Sequence, residues 1–570
     1  MVKIVSMPFL DILDPSFDIA SMIAYLNSKG MRAKGYYPCI AYMKRVGCRK
    51  FYELMHTGVG ERIFSALLFE QLLETHKNEI KEISFKSDFS FDETLSITET
   101  FVSEYIEKLM ISADDIILFY MYTRQLVPSL YMAKKIKAKY ACKVWLAGFN
   151  CLDGLRESLL ACFPYIDNAF SEEIEENIYA ALSGKPVMYH STLDFLPTPD
   201  YSDFIAELDA NKDALGFSSK NCYFQIEFTR GCRWHQCSFC TLNCRATGGF
   251  RERSLEMLIQ DYETLQQRHK TTLFLLQGYV CSKDWKYIFA HLYKQFPNLY
   301  KAHRLILKVK DLQDEDDFIF MKKIGASVLV GTESFCSEYL KKLNKGQTVI
   351  ENIYVLKMAE RWAVPCFHNL MYALPFEEER FFIESKENIS CIFHLPPPFD
   401  DEEFRLTYNS DIYNNPAQYG IKRIYPKDEN HIFPKEINNK LKRFFYDFEA
   451  VTGNEAIEQR KARWKELLEN WREVYYMRER SGKPKRQSLL YKSDMNGFLQ
   501  IVDFRYSFDT YELEGHERDV YNFCDKPTNI TDIIEYFNAL DQKAICDTLQ
   551  HFVSHKIMFK ENDYYLSLAI

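Results

Sequence analysis

From residue 1 to about 195, short apolar runs alternate with amphipathic stretches. Residues 3–9, 115–120 (Asp-Ile-Ile-Leu-Phe-Tyr) and 143–147 read as strands, the middle one an apolar run suited to a parallel strand covered on both faces. Residues 18–28 and 128–138 read as helices; in the second, Leu130, Met132, Ala133 and Ile136 fall partly on one face. This alternation predicts a doubly wound, Rossmann-like sheet whose ligands sit beyond the strand C-termini. A Pro-punctuated crossover, Asp194-Phe195-Leu196-Pro197-Thr198-Pro199-Asp200-Tyr201, marks the next boundary. Strands then follow at 222–228, 272–277, 304–309, 327–331, 366–373 and 390–395, with helical patterns in most gaps. Six such units predict a partial (β/α)6 barrel, whose chemistry belongs on the C-terminal face of its strands.

The pattern changes again after about 430. Residues 436–480 read as charged helix, with Trp464, Leu467, Leu468, Trp471, Val474 and Tyr475 on a face that needs a partner surface. Residues 456–486 carry ten Lys/Arg against five Glu, which would attract an acidic peptide or form a solvated helix face. Hairpin strands at 498–504 and 506–513, helices at 516–523, 531–538 and 542–554, and a closing hairpin over 556–568 give a winged-helix-like order. The chain thus reads as α/β in four parts: 1–195 Rossmann-like, 196–430 barrel, 431–486 helical linker, and 487–570 winged-helix-like.

Composition narrows the function. The net charge of −9 argues against a nucleic-acid binder, and no apolar run reaches the roughly 18–20 residues that cross a bilayer. Residues 1–8 lack the apolar stretch of a secretory signal. Sixteen cysteines dispersed over 570 residues do not form a secreted disulfide scaffold, so the expected location is a reducing cytoplasm.

Three of those cysteines, Cys232, Cys237 and Cys240, fall within nine residues on the loop leaving the strand at 222–228. Close thiolates suit a soft metal site such as an iron–sulfur cluster. Three ligands on a four-iron cluster leave one iron open, and the amine and carboxylate of S-adenosylmethionine (SAM) match that opening. The alternatives are a structural zinc knuckle completed by His235 or Cys244, and unligated thiols. At the ends of the later strands stand Gln277, Lys308, Lys310, Glu333 and Ser334, with Tyr408 and Tyr413 on a following loop. Among these, Glu333 suits a SAM ribose hydroxyl, Arg251 or Lys310 its carboxylate, and Tyr408 the substrate channel. Gln125, Ser129, Gly148 and Asn150 are the Rossmann-like loop positions nearest a corrin ring.

Several further stretches carry a resemblance: Val5-Ser6-Met7-Pro8-Phe9, Pro128-Ser129-Leu130-Tyr131-Met132-Ala133-Lys134, Leu196 to Tyr201, and Arg230-Gly231-Cys232 through Asn243. Gly331-Thr332-Glu333-Ser334 with Lys345-Gly346, Asn369-Leu370-Met371-Tyr372 and His394-Leu395-Pro396-Pro397-Pro398 complete the set. The chain resembles the cobalamin-binding-domain radical SAM enzymes that mature ribosomally made peptides, many of them peptide C-methyltransferases. It departs from their pattern in a shorter first cysteine gap and in Phe149, which stands where that family has glycine.

The resemblance implies a [4Fe–4S] cluster, SAM and cobalamin, with methylation of an unactivated carbon in a precursor peptide. It also implies an electron donor such as a flavodoxin or ferredoxin, and a leader peptide bound by the C-terminal unit through strand addition. The competing expectations are cobalamin-independent peptide epimerisation, crosslinking or oxidation, and a noncatalytic precursor-binding partner.

Overall fold

A computed structural model describes residues 1–570 except 123, 243–248, 271–272, 279, 298–303, 428–430, 451–453, 481–487 and 496. The N-terminal part is a parallel five-stranded sheet. Its strands are β1 (Val2–Val5), β2 (Ala33–Tyr36), β3 (Ile116–Met121), β4 (Lys143–Gly148) and β5 (Asn168–Phe170), in the order β2-β1-β3-β4-β5. The order reverses between β1 and β3, the switch point at which doubly wound sheets open a crevice. The apolar runs bury as expected, and even Lys3 of β1 is enclosed: its ammonium donates to Leu109 and Met110 carbonyls at 2.7 Å and pairs with Asp115 at 2.8 Å. Helix Phe17–Ser28 covers one face, its start capped by the Ser16 hydroxyl.

The barrel strands are β6 (Phe224–Glu227), β7 (Thr229–Arg230), β8 (Arg251–Glu252), β9 (Phe274–Gln277), β10 (Arg304–Leu307), β11 (Ser327–Glu333), β12 (Cys366–Tyr372) and β13 (Asp400–Glu403). β6 pairs with β9 and β10-β11-β12-β13 form one run, all parallel, while the short β7 and β8 pair antiparallel. The Cys281 N–H reaches the Ile306 carbonyl (2.7 Å) to join the two runs. Six parallel strands are present, but the sixth is 400–403 and not 390–395. Residues 390–395 continue from helix Glu379–Ser390, and their apolar side chains pack between elements. Leu395, for example, is fully buried where its carbonyl accepts from Trp471 Nε1. The true strand, Asp-Asp-Glu-Glu, has a composition depleted in strands and escapes a hydrophobic pattern.

Beyond the barrel, β14 (Leu406–Thr407), β15 (Ile421–Pro426) and β16 (Phe445–Ala450) form an antiparallel sheet in the order β14-β16-β15. Part of the expected helical region is therefore strand. Helix Asn454–Arg480 follows, and the surface its aromatic face requires is the barrel itself: Trp464 Nε1 donates to Glu377 (2.8 Å) and Trp471 Nε1 to the Leu395 carbonyl (3.0 Å). The C-terminal unit has β17 (Leu490–Asp494), β18 (Phe498–Asp503) and β19 (Asp509–Glu514) as one antiparallel sheet. Three helices follow, Gly515–Phe523, Ile530–Tyr536 and Gln542–Ser554, with β20 (Thr528–Asn529), β21 (Met558–Glu561) and β22 (Tyr564–Ser567) as the wing. Ile570 exchanges backbone hydrogen bonds with Leu490 and Lys492, closing the outer edge of β17. No helix among the described residues is long and apolar enough to cross a membrane.

Candidate active site

β7 and β8 form the base of an excursion that carries the three cysteines. Gly231 closes that base with φ +88°, and a side chain there would press against the Gly249 carbonyl. The loop is pinned from several sides. Ser238 N–H donates to the Leu343 carbonyl (3.0 Å), Trp234 Nε1 to the Asn344 carbonyl (2.8 Å), and Ile412 N–H to the Ser238 carbonyl (3.0 Å). Arg233 bonds the Cys281 carbonyl and pairs with Asp311 at 2.8 Å. Cys232, Cys237 and Cys240 are all half-buried, and the Leu242 N–H points at Cys240 Sγ (3.5 Å).

Two lysines face this loop. Lys345 is held by Glu333 at 2.9 Å; burial would lower its pKa, but Glu333 and Cys237 outweigh burial and raise it. Burial pushes the Cys237 thiol up and Cys240 to about 11, and Lys345 opposes both shifts. Lys308 lies 3.8 Å from the centre of the Trp234 ring, and burial brings it down to about 8 although Cys237 and Cys232 draw it up. Among the described residues no carboxylate lies within ion-pair distance of Lys308. Cations beside a thiol trio are the electrostatic surroundings that thiolate ligation needs, so the donor set fits an iron–sulfur cluster. His235 is exposed, and Cys244 lies outside the described residues. Among those described, no three histidine, cysteine or carboxylate side chains converge on one ion-sized position.

Glu333 reaches the loop because β11 ends in a bulge between Gly331 and Glu333, where Glu333 adopts φ +60°. Asn352 Nδ2 holds the Thr332 and Ser334 carbonyls (3.1 and 3.0 Å), and Gln347 Nε2 holds the Gly331 carbonyl (2.8 Å). Ser334 is buried, its hydroxyl accepting from the Cys336 N–H at 3.1 Å.

A cavity of about 310 Å³ lies beside the loop, between the C-terminal ends of the two parallel sheets. Tyr120, Tyr122 and Gly148 line it from the Rossmann-like side; Glu227, Arg230 and Gln277 line it from the barrel. Arg230 organises its floor: it forks onto Glu227 (2.8 Å twice) and reaches Glu173 and Glu175 at 3.1 Å. Burial alone would raise Glu175, but Arg230 outweighs it; on Glu227 burial wins and the pKa rises.

The structure brings some of the expected residues together and not others. The cysteines and Glu333 meet through Lys345, and Gln277 and Gly148 share the cavity, whereas the buried Ser334 is turned to Cys336 and Asn352. Arg251, buried, is held by Glu173 at the junction of the two domains. Lys310 is exposed and pairs with Glu351 at 2.9 Å. Gln125 and Ser129 are fully buried, Gln125 donating to the Met7 carbonyl and Ser129 to the Gln125 carbonyl. Asn150 is half-buried in the turn Phe149–Cys151. Tyr408 packs against Tyr413 and Tyr446 and abuts Gly154. Lys345, Trp234 and Arg230 lie in stretches that carry the resemblance but receive no site role from sequence, and the Glu173–Glu175 pair goes unnoticed there. Lys345 does lie in a conspicuous Lys-Gly step, but its role depends on the fold.

A three-cysteine loop at the strand ends of a parallel partial barrel defines the class: residues 226–386 match the family model described as Radical SAM superfamily, so the chain contains a radical SAM domain, whose cofactors are a [4Fe–4S] cluster and SAM. Over its larger extent the chain is similar to the cobalamin-dependent SAM radical enzyme OxsB with aqua-cobalamin bound. The TM-score is 0.54 at 11% identity, covering 84% of this chain and 66% of that one. It is also similar to the radical SAM methyltransferase TsrM from Kitasatospora setae with cobalamin and a [4Fe–4S] cluster bound. There the TM-score is 0.52 at 10% identity, covering 80% and 89%. At such identities the likeness concerns the fold. No curated protein matches the sequence.

Proposed function

We propose that this protein is a cobalamin-dependent radical SAM enzyme that methylates an unactivated carbon of a ribosomally made precursor peptide. One observation carries the reading: the cysteine loop opens from β7, which borders a cavity between the C-terminal ends of a Rossmann-like sheet and a barrel sheet. Held by Cys232, Cys237 and Cys240 and reduced by an external electron donor, a cluster would supply the electron for reductive cleavage of SAM, and a corrin in the cavity would supply the methyl group.

Cys232, Cys237 and Cys240 hold the cluster in this reading. Glu333, fixed by the bulge and Lys345, takes a hydroxyl of the nucleoside, and Lys308 offers the SAM carboxylate a desolvated ammonium. The cavity lies where a doubly wound sheet takes its ligands, and its lining is mixed: Phe17, Tyr120 and Phe149 offer aromatic faces, while Glu173 and Glu175 are held by Arg230 and the Tyr122 hydroxyl by Asp18. Among the described residues no histidine lines it. Walls contributed by both domains exclude water and hold the reacting groups in place.

The precursor's leader is assigned to β19, whose outer edge pairs with no other strand among the described residues. Proline at Thr510 or at Glu512 removes a backbone donor from that strand and should weaken precursor binding. The function is tested by anaerobic reconstitution with iron, sulfide, cobalamin and SAM, then mass spectrometry of the precursor; a singly methylated product is expected. Phe149 in the cavity wall favours one second reading, peptide modification without cobalamin. That reading expects no corrin absorbance and deoxyadenosine formed without methylation.

A further inference from the structure

The winged C-terminal unit touches the barrel at a point directly connected to the cysteine loop. Glu561, the last residue of β21, accepts from the Ile350 N–H at 2.6 Å, the Val349 N–H at 3.3 Å and the Ser337 hydroxyl. Val349 and Ile350 are the first two residues of helix Val349–Trp362, and Ser337 is the first of helix Ser337–Lys342. One carboxylate from another domain therefore takes up two backbone donors that helix Val349–Trp362 would leave unpaired, at an end where the helix dipole favours an anion, and ties them to the Ser337 hydroxyl, while the Ser337 N–H goes to Glu384 at 2.9 Å.

Between those helices runs 343–348, the segment that serves the site. Its Leu343 carbonyl holds Ser238, its Asn344 carbonyl holds Trp234, and its Lys345 joins Glu333 beside Cys237 and Cys240. Gly346, at φ +71°, lies so close under the Trp234 indole that a Cβ would collide with the ring. Gln347 reaches back to the Gly331 carbonyl that begins the β11 bulge. Glu561 holds the end of the segment at Val349 and Ile350 directly, and the other end only through the six-residue helix that Ser337 begins.

We infer that Glu561 is a positioning residue: by clamping two helix starts it sets the 343–348 segment, and with it Lys345, against the cysteine loop. The C-terminal unit thereby acts on the cluster site as well as offering a surface to a peptide. This inference rests on the cysteine loop holding a cluster, but half of its test does not.

In the chain as purified, E561A should raise amide exchange across 343–348 and across 232–240, with E561Q giving a smaller change of the same sign. In the reconstituted chain, E561A should move the cluster's reduction potential to more negative values, as K345M does, because a positive charge leaves its vicinity. The double variant E561A/K345M should move it no further than K345M alone. Exchange that rises only at 337 and 349–350, or potential shifts that add, would overturn the inference. If E561A does not fold, E561Q carries the same comparisons. A wild-type chain that holds no cluster would defeat the proposed function, while the exchange experiment would still decide whether Glu561 governs the segment.

Discussion

Asp525 of the C-terminal unit offers a sharp energetic test, because three cations share it. Lys357 Nζ lies 2.9 Å from its carboxylate, Lys492 3.1 Å, and Arg361 forks onto it at 2.5 and 2.7 Å. Lys357, on helix Val349–Trp362, is fully buried; burial brings its pKa down to about 7, with Arg361 and Lys492 adding to the fall and Asp525 opposing it. Burial would raise Asp525, but the three cations hold it far below the usual carboxylate range. The two partners are therefore not equivalent. D525A removes the carboxylate that pairs with the fully buried Lys357 and with Lys492, and leaves Arg361 with Glu315 at 3.5 Å. Removing one side of such a pair costs roughly 3–5 kcal/mol, and the low end applies since Asp525 is about one-third exposed. K357M keeps the volume, removes the buried ammonium, and leaves Asp525 with Arg361 and Lys492; it should be neutral or stabilising.

Native-state hydrogen exchange of Gly515–Phe523 and Gln542–Ser554 measures the opening free energy of this unit. D525A should lower protection about 100-fold, the equivalent of ~3 kcal/mol, and K357M should not lower it. The pH dependence has a defined sign. Between about 7 and the ordinary lysine value of about 10.4, the unfolded chain binds the Lys357 proton and the folded chain does not. Wild-type stability therefore rises with pH across that window, and any advantage of K357M shrinks from pH 7 to pH 9. Equal losses in both variants, or an advantage that grows with pH, would refute the reasoning.

Replacing Cys232, Cys237 or Cys240 by alanine should abolish cluster assembly, measured as bound iron and sulfide after anaerobic reconstitution, without unfolding the barrel. G346A should expel the Trp234 ring and strain a left-handed backbone position, costing about 1–3 kcal/mol in denaturant unfolding and loosening the loop. G331A brings a methyl onto the ends of Glu333 and Lys345, both flexible side-chain tips. It should leave stability nearly unchanged and weaken SAM binding about tenfold, or ~1.4 kcal/mol, by calorimetry. K308M should weaken SAM binding by a similar factor, whereas K310M, which breaks only an exposed pair with Glu351, should not change it.

Much of this architecture was legible in the sequence because apolar periodicity reports burial directly. The runs at 115–120 and 143–147 became central strands, and the heptad-like aromatics from Trp464 to Tyr475 found their partner surface. The errors have physical causes. Residues 390–395 are apolar because they sit between elements, not because they extend, and β13 is acidic because it lies at an edge of its sheet. The cysteine loop was legible from spacing alone. Its electrostatic setting was not: Arg251 and Lys310 are cationic and near in sequence or at strand ends, yet both are already paired. Lys345 gains its place only through a bulge in β11 and a glycine under Trp234, features of three-dimensional packing. Gln125 and Ser129 have polar side chains suited to a ligand, and the fold uses them inside a helix start.

The measurement that most directly tests the account is anaerobic reconstitution of the purified chain, followed by metal and sulfide analysis, electron paramagnetic resonance of the reduced protein, and product analysis with SAM. The account predicts one four-iron cluster per chain, a spectrum that changes when SAM is added, and release of 5′-deoxyadenosine. A chain that takes up zinc in place of iron and leaves SAM intact would contradict it.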